Sequence, residues 1–64
     1  MLQLSNLEQF PDIESAEILY STQSKHFALV VNEKNGSLYG TTANSISQAK
    51  SKFTKKYGKG SDWK

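Results

Sequence analysis

Apolar residues change their spacing twice along this chain, and each change marks a predicted element. Leu4, Leu7 and Phe10 recur at intervals of three. Ser5-Asn6-Leu7-Glu8 fits a capping box, and Pro11 closes the stretch because the residue before a proline avoids helical geometry. This predicts one short helical turn over residues 6–10, its apolar residues covering an edge of the core. From Glu14 to Thr22 the period drops to two, with Ala16, Ile18 and Tyr20 on one side and Glu17, Leu19 and Ser21 on the other, as in a strand. A helix opened by Pro11-Asp12 is the alternative there. Thr22-Gln23-Ser24-Lys25 is polar and long enough for a hairpin loop.

His26 to Glu33 is the most strand-like run: Phe27, Leu29 and Val31 point one way, Ala28 and Val30 the other. Asn35-Gly36 supplies a hairpin signal, since both residues tolerate positive φ in a type I′ turn. With that two-residue loop, Lys34 pairs Ser37, Glu33 pairs Leu38 and Val31 pairs Gly40. Phe27, Leu29, Val31 and Leu38 then make the core face, with Tyr39 and Thr41 opposite, beside Asn32 and Val30. A three-residue loop with a G1 bulge would shift the register by one and bring Tyr39 inward.

The period then lengthens to that of a helix. Ser45-Ile46-Ser47-Gln48 offers a second capping box, and Gly58 sits where a helix would stop. Between them Ile46, Ala49, Phe53 and Tyr57 fall on one stripe. Lys52, Lys55 and Lys59 project from the opposite side, Lys56 lies on the flank, and Lys50 borders the stripe with its methylenes along it.

The expected fold is therefore α+β: a three-stranded antiparallel sheet packed against one C-terminal helix, with a short N-terminal helical turn. Residues 1–64 form one domain, with a core over 4–57 and a flexible tail over 58–64. A chain of 64 residues buries only roughly 60% of its unfolded surface, so its stability is a few kcal/mol. It has no cysteine, so neither a disulfide nor a thiolate metal ligand supports it. No segment approaches the roughly 18 apolar residues of a membrane span, and Met1-Leu2-Gln3-Leu4-Ser5 lacks the basic start and apolar run of a signal peptide. A cytoplasmic protein is expected, without cofactor and without membrane contact.

Charge is uneven. Residues 1–32 carry Lys25 against Glu8, Asp12, Glu14 and Glu17, or 1 − 4 = −3. Residues 33–64 carry Lys34, Lys50, Lys52, Lys55, Lys56, Lys59 and Lys64 against Glu33 and Asp62, or 7 − 2 = +5. No basic residue is an arginine, which weakens bidentate recognition of phosphate or guanine.

Candidate chemistry is sparse. His26 has no local nucleophile or carboxylate motif beside it, so an exposed residue at a strand start is the expected role. The acids at 8, 12, 14 and 17 match no metal loop and read as a solvated face. Gly36, Gly40, Gly58 and Gly60 do not form a phosphate loop. Lys52, Lys55, Lys56 and Lys59 are the candidate nucleic-acid contacts, able to neutralise phosphates without reading bases, and Tyr20, Tyr39 and Trp63 would add stacking surfaces if exposed. Leu19, Val30, Tyr39 and Thr41 are the candidate protein interface, an apolar patch on the second sheet face. An unpaired sheet edge, at Glu14–Thr22 or Ser37–Ala43, offers strand addition as a further mode.

Over residues 15–57 the order of three antiparallel strands and a helix resembles the small DNA-binding modules of phage integrase N-terminal domains and AP2-type domains. Those families carry Arg, Lys or Trp on the exposed sheet face. Here the outward positions hold Leu19, Ser21, Val30, Asn32, Tyr39 and Thr41. The resemblance extends to element order and not to these residues. The expected function is a non-enzymatic accessory module, of the inhibitor or regulator kind that phage and mobile elements encode. A protein partner is preferred over nucleic acid, and a homodimer is the third possibility.

Overall fold

The structure is a computed structural model and describes residues 1–64. Its elements are β1 (Leu2–Gln3), a single 3₁₀ turn (Leu7–Gln9), β2 (Ile13–Ser21), β3 (His26–Glu33), β4 (Leu38–Ala43) and α1 (Ile46–Tyr57). The strands form one antiparallel sheet in the order β1-β2-β3-β4, packed with α1. The α+β class and the C-terminal helix agree with the sequence pattern, but the sheet has four strands where three were expected. The additional strand, β1, pairs Leu2 with Ile18 and Gln3 with Glu17. Two residues are too few to display an alternation, so nothing in their pattern announces a strand.

The register expected for a two-residue loop in the β3–β4 hairpin is corrected by one residue, to that of the three-residue-loop alternative. Val31 pairs Tyr39, not Gly40, and Asn32 pairs Leu38. The Gly36 N–H donates to the Glu33 carbonyl at 3.0 Å, and the Glu33 N–H donates to Ser37 O at 2.9 Å. Gly36 has φ +91° while Asn35 keeps a negative φ, so residues 34–36 form a three-residue loop rather than a type I′ turn. Because side chains alternate, the slip moves Leu38 out of the expected core to 69% exposure and turns Tyr39 and Thr41 toward the helix.

A second irregularity lies in β2, where the pairing slips between Ile13 and Ser15. Glu14 is the extra residue of this bulge. Strict alternation from Ala16 and Ile18 would send Ile13 to the other face; the bulge restores it to the core at 2% exposure.

The core comprises Leu4, Phe10, Ile13, Ala16, Ile18, Leu29, Val31, Ala43, Ala49, Phe53 and Trp63. Phe53 of α1 lies at its centre. Its ring meets Phe10 at 5.2 Å, Tyr57 at 4.9 Å and Trp63 at 5.2 Å between centroids. The helix starts as its capping residues require: the Gln48 N–H donates to Ser45 Oγ at 3.0 Å, while the Gln48 side chain accepts from the Asn44 N–H at 2.7 Å. Ile46, expected on the apolar stripe, is 38% exposed.

Residues 61–64, expected within a flexible tail, instead return to the sheet. The Gln3 and Lys64 backbones exchange two hydrogen bonds of 2.9 Å, and the Ser5 N–H donates to Asp62 O at 2.7 Å. Trp63 bridges Leu4 and is buried. Ser5, read as the cap of the first helical turn, does different work, together with its neighbour Asn6. Ser5 Oγ donates to Asp62 O at 3.0 Å, Asn6 Nδ2 donates to Gly60 O at 2.6 Å, and Asn6 Oδ1 accepts from the Asp62 N–H at 2.8 Å. Gly60 makes this return feasible. Its φ is +92°, and a Cβ there would stand 3.2 Å from Gln9 Oε1.

Candidate functional site

Three surfaces hold the residues that the sequence singled out. The first is the solvent side of α1. Four lysines (50, 52, 55 and 56) and no acid occupy this helix, and Lys59 follows it. The expectation that Lys52 projects away from the sheet is corrected: its ammonium reaches the carbonyl of Thr42 at the rim of β4. Lys56 also turns toward the sheet, with Nζ 4.7 Å from the centre of the Tyr39 ring, a cation–π distance. Lys55 and Lys59 are exposed. The expected stripe is thus divided: Lys52 and Lys56 contact the β4 side, Lys55 stands exposed beside them, and Lys59 lies beyond the helix end.

The second surface is the sheet face turned away from α1. The register places Glu17, Val30 and Gly40 in one cross-strand row, with Leu19, Ala28 and Thr42 in the next. No element covers it. Leu19, Ala28 and Val30 are partly exposed, and Leu38 lies exposed one row further along. The Asn32 side chain donates to Ser15 Oγ at 3.2 Å across this face. Two of the four candidate interface residues, Leu19 and Val30, belong here. The other two, Tyr39 and Thr41, lie on the helix side because of the register slip.

The third is the free rim of β4, where Tyr39 and Thr41 join Lys52, Lys55 and Lys56 around a shallow slot. The Tyr39 ring packs edge-on against Tyr57 at 6.1 Å. The Tyr57 hydroxyl donates to Glu33 Oε2 at 3.0 Å. Burial, followed by the hydrogen bond to the Glu33 carboxylate and its negative charge, pushes the Tyr57 phenol from 10.0 up to about 12.

The remaining residues are dispersed. His26 is exposed, with Nδ1 against the Ser24 carbonyl. No three His, Asp or Glu side chains gather as a metal site, and no polar or charged residue is buried. Of the aromatic residues considered for stacking, Trp63 is buried in the core, Tyr39 is half-buried, and Tyr20 is exposed but tilted against Phe27 at 5.0 Å. No helix is long and apolar enough to cross a membrane. No known protein family matches the chain, and neither a curated protein nor a solved structure matches it.

Proposed function

We propose that this chain is a non-enzymatic accessory module that acts by docking on a protein partner. The observation that carries this reading is that the sheet is covered on one side only. Phe53, Phe10 and Trp63 close the face of Leu29 and Val31, while Leu19, Ala28 and Val30 have no layer over them. Sheets with one naked face need polar residues there or a partner. Affinity capture from host lysate, with and without nuclease, tests the reading. A nuclease-resistant protein partner whose capture depends on Val30, shown by Val30→Asp, supports it. Capture that vanishes with nuclease overturns it.

A second reading makes the chain a nucleic-acid-binding module. It is favoured by the acid-free lysine surface of α1 with Lys59 beyond it. Such binding would weaken steeply with salt and fall on replacing Lys52, Lys55, Lys56 and Lys59 by Ala, alike for all base sequences.

A further inference from the structure

The two edges of the sheet are not equivalent. At the β1 edge, residues 62–64 satisfy the backbone groups of Gln3 and Ser5. At the β4 edge the ladder ends. The Glu33–Ser37 hydrogen bond fixes which pairs of the β3–β4 ladder are bonded, and alternation then makes Val31–Tyr39 and Leu29–Thr41 bonded pairs. Leu38, Gly40 and Thr42, in the intervening pairs, direct their backbone groups outward. The Lys52 ammonium on the Thr42 carbonyl agrees with this assignment. Two residues of edge, Leu38 and Gly40, thus offer alternating donors and acceptors about 6.8 Å apart, the repeat of a strand. Gly40 has no side chain to obstruct approach.

We propose that this rim is a docking element of the module in addition to its open face, and that it takes an extended acidic segment of a protein, added as a strand along Leu38–Thr42 with its carboxylates toward Lys52, Lys55 and Lys56. The proposal rests on the protein-docking reading and names the chemistry of the partner. Charge decides the occupant. The lysines that line the slot beside Tyr39 and Thr41 stand on the helix side of the rim, and every second side chain of an added strand points to that side. The acid of the neighbourhood, Glu33, is already held by the Tyr57 hydroxyl. A second copy of this chain, paired edge to edge in one continuous sheet, would set its own Lys52, Lys55 and Lys56 against this set, so like charge opposes self-association here. A nucleic acid would meet the lysines, but its phosphates only accept hydrogen bonds and would face the outward carbonyls unpaired.

The test uses the whole chain, labelled with ¹⁵N, and an N-acetylated, C-amidated hexapeptide alternating glutamate with valine. The expected result is a shift of the Leu38, Gly40 and Thr42 amides, with hydrogen exchange at Leu38 and Gly40 slowed by about tenfold or more on saturation. The same peptide with lysine for glutamate, or with alternate amides N-methylated, gives neither effect. Charge reversal of the exposed Lys55, Lys55→Glu, weakens binding by about fivefold or more without moving the melting temperature. Leu38→Pro removes one outward N–H while leaving the β3 ladder its bonds, and it abolishes binding. If that variant does not fold, the charge reversal and the N-methylated peptide still decide. Shifts centred on Leu19 and Val30 overturn the rim while sparing the protein-docking reading. Shifts at Leu38 and Gly40 that grow with protein concentration alone mean a second copy and also overturn the proposal. A single-stranded oligonucleotide that moves the lysine helix while the peptide moves nothing overturns both readings. No shift with either probe at millimolar peptide overturns the rim, leaving nuclease-resistant capture to judge the wider reading separately.

Discussion

The indole ring of Trp63 stands edge-on to the ring of Phe53, with centroids 5.2 Å apart and planes at 87°. Through this contact a residue from what reads as a polar tail becomes part of the core, and the helix is held from two sides, by Trp63 and by Phe10. Such edge-to-face pairs add about 0.5–1.5 kcal/mol beyond the area they bury.

Trp63→Ala should therefore cost about 3 kcal/mol or more, a large share of the stability of so small a domain. Urea unfolding followed by circular dichroism measures it. Trp63→Phe, which keeps an aromatic edge toward Phe53, should recover part of the loss. A Trp63→Ala protein as stable as the parent would mean the tail is not packed as described.

The hairpin register makes a contrast between neighbours. Leu38→Asp should change stability by less than about 0.5 kcal/mol, since the side chain lies in solvent. Val31→Asp, on a fully buried side chain opposite Tyr39, should prevent folding. Thermal melts of the two proteins decide between this register and the one with Leu38 in the core, which expects both to be severe.

Gly36 at φ +91° closes the 34–36 loop. Gly36→Val should cost about 1–3 kcal/mol through backbone strain alone, because nothing stands within 4 Å of the added Cβ. Gly36→Asn should cost less, as asparagine visits positive φ more readily. Equal melting temperatures for the three proteins would contradict the loop geometry.

Tyr57 supplies a pH dependence. Its phenol is raised to about 12 in the folded chain against 10.0 when unfolded, so the native state holds this proton more tightly. The stabilisation is complete below pH 10.0 and is lost as pH rises through about 12. Alkaline unfolding monitored between those limits should be steeper in the parent than in Tyr57→Phe. The variant loses the Glu33 hydrogen bond, worth about 1 kcal/mol, and should be the less stable protein near neutrality. A tyrosinate titration with no group delayed beyond 10.0 would count against this contact.

Much of the fold was legible because period and burial agree. The alternations 16-18-20 and 27-29-31 and the helical stripe through Ala49 and Phe53 each put their residues in the core, Tyr20 and Phe27 at its margin excepted. The register was not, because Asn35-Gly36 serves two loop types and the choice rests on tertiary contacts. Lys34 N–H bonds to Asp12 O at 2.9 Å, and Tyr39 finds Tyr57 and Lys56 only once the helix is in place. That one-residue slip is why Tyr39 and Thr41, expected on the open face, lie on the helix side, whereas Leu19 and Val30 stand on the open face as expected. The fourth strand and the returning tail were hidden for another reason. Ser5 and Asn6 have the chemistry of a local cap, and sequence proximity favours that use, yet their partners lie at 60–62. Trp63, a large apolar side chain in a polar stretch, was the one cue.

The seam between residues 3–5 and 62–64 also bears on the order of assembly. The Ser5–Asp62 hydrogen bond joins residues 57 positions apart, whereas the β2–β3 and β3–β4 hairpins close over a few. Loop-closure entropy makes the long closure dearer by about 2 kcal/mol than a four-residue one. The two hairpins and the helix can gather first, with the non-local seam sealing last, after the transition state has passed. Mutations at Ser5 or Asn6 would then speed unfolding and leave the folding rate nearly untouched, a signature that stopped-flow chevrons resolve.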